Sequence, residues 1–124
     1  MQSAASGVAG VMVGHLLNKS ANAICKALQK LENMKNASRF FEGAEYSPKV
    51  LSQMSKGAGE MHSFPEEVTA FRTDGTVKNI VGADGKNYAK LTIPGKYNGK
   101  TGNFEFIKDE NGIINHRFFK VDGE

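Results

Sequence analysis

Two histidines and a few cations are the residues of this chain whose types could do chemistry. His62 lies in MHSFPEEV, and His116 lies between Asn115 and Arg117 in INHRFF. An unperturbed pKa of roughly 6.5 lets histidine give or take a proton near neutrality. Cleavage of RNA without a metal needs a base for the 2′-OH, an acid for the leaving 5′-oxygen and cations for the charged phosphorane. His62 and His116 suit the first two roles, and Arg117 with Lys78 or Lys90 suits the third. The set is sufficient, but any chain with three histidines could assemble it. The plainer alternatives are a satisfied strand histidine at 116, a surface arginine at 117 and a helix-capping loop histidine at 62.

Other chemistries have less support. The chain has no GxxxxGK[ST], no GxGxxG after a strand and no GxSxG, which removes phosphate-loop, dinucleotide and α/β-hydrolase readings. One cysteine, Cys25, closes no intramolecular disulfide and reads as a small core residue on a helix. One Cys and three scattered His offer no zinc-ligand spacing. A metal-dependent DNase is disfavoured because carboxylates near the two histidines are sparse, with Glu60, Glu66 and Glu105 the conceivable ligands. The net charge is +3. Lys78, Lys86, Lys90, Lys96 and Lys100 face only Asp84 across residues 76–104, a basic run suited to phosphates if those side chains share a face.

The elements that must position these residues follow from periodicity. Ile24, Leu28, Leu31 and Met34 recur at helical steps after a plausible N-cap at Ser20, with Phe40 and Phe41 extending the stripe to Gly43. Ser47-Pro48 announces a short helix to about Met54, and Glu66-Glu67 after Pro65 announces another turn of helix. From Asp74-Gly75 onward the period is two, with strands expected at about 76–82, 87–93, 101–108 and 113–120. The class expected is α+β, with N-terminal helices on one face of an antiparallel β-meander whose other face is free to work. Residues 1–43 read as a lead-in plus amphipathic helix, possible remainder of an upstream region, and 44–124 as the functional domain. The apolar run at 3–17 is too short to span a bilayer and lacks a basic start.

In the last hairpin, Phe104 and Phe106 are expected in the core, which leaves Asn103 and Glu105 on the opposite side. The face of His116 depends on register. An odd loop length puts it with the phenylalanines, an even one with Glu105. If the open face is the site, Thr101, Asn103, Glu105 and Asn115 join Lys78 and Lys90 as substrate contacts.

YSPKVLSQM, MHSFPEEV and the run from GTVKNIV to INHRFF resemble the C-terminal toxin domains of bacterial polymorphic toxins, of the contact-dependent growth inhibition and filamentous-haemagglutinin type. The resemblance covers roughly residues 44–120. It implies the plan of the barnase/EndoU/colicin/RelE ribonucleases, with helices before a four- or five-stranded antiparallel sheet. It further implies a cofactor-free ribonuclease that cuts RNA, often tRNA, to a 2′,3′-cyclic phosphate. Delivery from a secreted or cell-surface protein into the cytoplasm of a target bacterium, a cognate immunity protein and a possible host factor belong to the same expectation. Carried over onto this sequence, it supports His62, His116 and Arg117 as catalytic. The competing reading is a non-catalytic nucleic-acid or protein-binding module in which the lysines contact phosphates and the histidines are structural.

Overall fold

A computed structural model describes residues 14–123, with side chains from Ser20 onward. The chain divides into two compact units, the first ending at Glu32 and the second beginning at Asn33. Helix α1 covers Gly14–Ser38, so Ser20 is an interior helix residue and not its cap. Ile24, Leu28 and Leu31 keep their helical spacing, yet all three are exposed. The periodicity identified the helix correctly and its burial incorrectly, because amphipathic spacing reports a helical face and not whether another element covers it. Cys25, expected as a core residue of this helix, is exposed. None of the described helices is long and apolar enough to cross a membrane.

The second unit holds the sheet. Its strands are β1 (Glu45–Tyr46), β2 (Thr76–Val81), β3 (Asn87–Tyr97), β4 (Lys100–Lys108) and β5 (Ile113–Val121), in the order β1-β5-β4-β3-β2. β2 to β5 form the expected antiparallel meander. β1 adds a fifth strand parallel to β5, pairing Glu45 with Ile113 and Tyr46 with Ile114, so the sheet is mixed. Helix α2 (Pro48–Met54) starts where expected: the Ser47 hydroxyl accepts from the Val50 N–H, and proline occupies the first turn. Residues Glu66–Asp74 form a 3-10 helix.

β3 runs four residues past its expected end. Asn98 and Gly99, with φ of +56° and +76°, make the two-residue turn to β4, so the chain stays extended through Pro94-Gly95. Proline fits there because β2 last pairs at Thr92, and beyond it β3 has a neighbour on one side only.

One sheet face carries the core. Leu91, Ile93, Phe104, Phe106 and Phe119 alternate along three strands and pack with Phe64 and, from the last turn of α1 and the residues after it, Ala37 and Phe40. Phe64, Phe104, Phe119 and Tyr97 form a chain of tilted and edge-to-face rings, a geometry favoured by the aromatic quadrupole. Asn33 bonds this helix end to the edge strand with both ends of its amide: Nδ2 donates to the Gly75 carbonyl at 3.0 Å and Oδ1 accepts from the Val77 N–H at 2.8 Å.

Gly102 sits on β4 opposite Val121 of β5, where no room is left for a side chain. A Cβ there would lie 2.2 Å from the Lys120 carbonyl oxygen and 2.8 Å from Phe119 Cζ. Backbone cannot yield as a flexible side chain can, so Gly102→Ala is expected to destabilise the fold by about 1–3 kcal/mol or more. Urea unfolding measures this; an unchanged midpoint would mean that the strands separate there at little cost.

Candidate functional site

The open sheet face is organised in rows set by strand register. One row crosses Lys78, Lys90, Ile107 and His116, and the next crosses Thr76, Thr92, Glu105 and Phe118. Two side-chain contacts tie the rows together. Glu105 Oε1 lies 3.1 Å from His116 Nε2, and Glu105 Oε2 lies 3.5 Å from Lys90 Nζ. The Glu105 side chain is 12% exposed, against 36% for His116 and 33% for Lys90, so the carboxylate is the sheltered centre of the trio. Lys78 stands directly opposite Lys90. Like charges in that position repel, and a bound anion would relieve the repulsion.

The face of His116 is decided by one extra residue. The loop after β4 is a turn in which the Gly112 N–H reaches the Asp109 carbonyl, Gly112 has φ of +83°, and the Asp109 N–H donates to the Ile113 carbonyl. Asp109 Oδ1 also accepts from the Asn111 and Ile113 N–H groups. This odd, three-residue loop carries the pairing to Lys108 opposite Ile114. Continued unbroken, it would put His116 opposite Phe106, in the core. Instead the register shifts between Ile107 and Lys108, so that Asn115 is bulged out and Ile107 faces His116. His116 therefore reaches Glu105 on the open face.

The same shift sends Arg117 inward, and this corrects the reading of Arg117 as a phosphate-holding residue. It pairs with Phe106 and is 1% exposed. Its guanidinium donates to the His62 carbonyl at 2.7 Å and the Phe64 carbonyl at 2.8 Å, lies 3.3 Å from Glu66 Oε1, and stacks 3.8 Å from the Phe64 ring centroid. Tyr46 donates to the same Glu66 oxygen at 2.6 Å; burial, then that carboxylate, pushes the phenol's pKa well above its ordinary value. Arg117 holds the loop 62–66 against the sheet from the core side.

That loop delivers His62. The Phe119 N–H donates to the Met61 carbonyl, so the loop runs along the edge of β5 that β1 leaves open beyond Ile114. The His62 ring is 5.1 Å from the Phe118 ring and the His116 ring is 6.1 Å from it, so the two histidines flank one aromatic side chain. Glu60 anchors His62 at Nδ1, 3.0 Å from Oε2, and that contact holds the Glu60 carboxyl below its usual range. A carboxylate with a lowered pKa stabilises the fold above its ordinary value and loses that contribution as pH falls through the lowered one. The loop is therefore expected to loosen on acidification, readable in the amide exchange of His62 and Ser63.

Two grooves flank the central row. One, of about 510 Å³, is lined by Lys78, Lys90, Thr92 and Asn103 among others. The other, of about 490 Å³, is lined by His116, Asn115, Tyr88 and Ile107 among others, and Ile80 belongs to both. Of the residues singled out in the sequence, the structure thus gathers Lys78, Lys90, Asn103, Glu105, Asn115 and His116 on one face, with His62 at its edge. Thr101 is exposed opposite Lys96 near the β3–β4 turn, away from His116, and Arg117 is on the other side of the sheet. Tyr88 and the phenylalanines, Phe118 among them, are the residues that the sequence offers for base stacking, and Thr92 was not foreseen. Tyr88, Lys90 and Thr92 alternate along β3, so the period-two pattern that picked out Lys90 also carried its neighbours. Among the described residues no three His, Cys, Asp or Glu side chains converge as a metal would require.

Comparisons with protein-family models, with curated proteins and with solved structures find no match.

Proposed function

We propose that this chain is a metal-independent endoribonuclease domain acting on RNA, with tRNA the leading substrate, and that the open sheet face is its active site. The observation that carries this reading is the convergence of His116 and Lys90 on the sheltered Glu105 carboxylate, beside the Lys78–Lys90 pair and with His62 at the same edge. Glu105 fixes His116 through Nε2, as an orienting carboxylate does in a catalytic triad, and leaves Nδ1 for the substrate. His116 takes the 2′-OH proton, and the 2′-oxygen attacks phosphorus. His62, anchored through Nδ1, gives a proton from Nε2 to the departing 5′-oxygen, leaving a 2′,3′-cyclic phosphate and a 5′-hydroxyl. Lys78 and Lys90 hold the phosphate through the charged transition state. The resemblance of the sequence supports a wider setting. In it, the domain is the terminal toxin of a secreted or surface protein, acts in the cytoplasm of a target bacterium and is blocked by an immunity protein.

The test is incubation of the purified chain with total bacterial RNA in excess EDTA, followed by a denaturing gel and analysis of the fragment ends. Discrete fragments ending in 2′,3′-cyclic phosphate are expected. Intact RNA, bound with an affinity that falls steeply with salt, would replace this reading with a non-catalytic binding module. Lys90→Met is expected to slow cleavage on the order of 10²-fold, the scale of one lost transition-state contact, and to lessen the salt dependence of RNA binding. An unchanged rate would remove the phosphate from the Lys78–Lys90 groove.

A further inference from the structure

The ribonuclease reading uses the lysine-lined groove and leaves the second groove unassigned. That groove has the composition of a site for a flat heterocycle. Its apolar surfaces are Ile80, Ile107 and the Tyr88 ring, and its polar groups are Lys49 at one side with Asp84, Asn115 and His116. Tyr88 is held in place, its hydroxyl donating to Asp84 Oδ2 at 2.5 Å, while Asp84 Oδ1 accepts the Lys86 N–H at 2.9 Å. The tyrosine hydroxyl keeps Asp84 ionised, lowering its pKa, so this carboxylate acts only as an acceptor. The Asn115 side chain, turned out by the bulge, makes no hydrogen bond to another described residue, which leaves a donor and an acceptor for a ligand. His116 lines this groove and Ile80 joins it to the phosphate groove. Tyr88 and Lys90 are two residues apart on β3, about 7 Å, a span that a ribose bridges.

We propose that this second groove is the subsite for one unstacked nucleobase adjoining the scissile phosphate, and that it prefers a base bearing an exocyclic amine over uracil. The base lies against Tyr88 and the two isoleucines, since aromatic faces accept any base. The preference comes from its edge. Asp84 can only accept, so it rewards an amino donor, and Asn115 can present its amide to a donor–acceptor edge as amides do to adenine. Uracil offers Asp84 only its N3–H, which is flanked by two carbonyl oxygens that a carboxylate repels. The proposal rests on the ribonuclease reading for the adjoining phosphate, but base binding can be measured without turnover.

The experiment titrates the isotope-labelled full chain with AMP and, separately, UMP, following backbone and Asn side-chain amide resonances, and sequences the RNA ends made by the same chain. AMP is expected to bind about tenfold tighter than UMP, to shift the resonances of Tyr88, Ile107 and the Asn115 side chain, and to match an amino-bearing base at the cut. Asp84→Asn is expected to bring the two nucleotides within about twofold, and Asn115→Ala to weaken AMP with little effect on UMP; folding of both variants is checked by their spectra. RNA cut with no base preference, together with AMP shifts confined to Lys78 and Lys90, would overturn the subsite and leave the ribonuclease standing. AMP shifts at Tyr88 and Asn115 in a chain that leaves RNA intact would support the base site and overturn the ribonuclease.

Discussion

His116→Gln is expected to lower the rate of RNA cleavage on the order of 10²–10⁴-fold, the range for loss of a positioned proton-transfer group, while leaving the thermal transition nearly in place. The two expectations have separate sources. The His116 ring stands on the open face and bonds to Glu105 alone, and Glu105 retains Lys90 when the ring is gone. A partly exposed pair of this kind contributes no more than about 1 kcal/mol, and glutamine can still reach the carboxylate. Proton transfer, by contrast, cannot be supplied by an amide. Single-turnover cleavage and thermal unfolding of the same preparation decide the matter. A variant that loses activity only in proportion to a lowered Tm would make His116 a structural strand residue.

Arg117→Met is expected to have the opposite signature, a loss of roughly 3–5 kcal/mol of stability, typical of breaking a buried charged network. Methionine would fill much of the volume and remove the burden of a buried charge. It would also leave the His62 and Phe64 carbonyls without donors, at about 1–3 kcal/mol for each buried group left unsatisfied. Activity should fall with it through the loop that carries His62. Arg117→Lys should rescue little, because one ammonium cannot span two carbonyls and Glu66 as a planar fork does. Urea unfolding with and without added salt provides the measurement, and salt should matter little because the contacts are buried. A fully stable Arg117→Met that no longer cuts RNA would return this arginine to the chemistry.

These two neighbours behave oppositely because adjacent strand residues point to opposite faces. The sequence reading assigns both His116 and Arg117 to one site, and strand alternation is what separates them. Sequence alone determined the α+β class, the four antiparallel strands from Thr76 onward and the start of α2 at Ser47-Pro48, because each rests on local rules of alternation, turn chemistry and capping. The inward placement of Phe104 and Phe106, and with it the outward placement of Asn103 and Glu105, followed from the same alternation.

What the tertiary structure decided was which of the two neighbours faces the grooves. The turn at Asp109–Gly112 sets a pairing that would bury His116, and the bulge at Asn115 reverses it. A bulge has no compositional signature. It forms because the whole sheet gains by it, leaving His116 beside Glu105 and placing Arg117 under the two carbonyls that need its donors. Long-range partnership likewise decided the place of His62, brought to Phe118 by a loop that Arg117 holds, and the pairing of β1 with β5 across some seventy residues. Alternation along one strand fixes faces within that strand. Only the packing of several strands and a loop together fixes which faces meet.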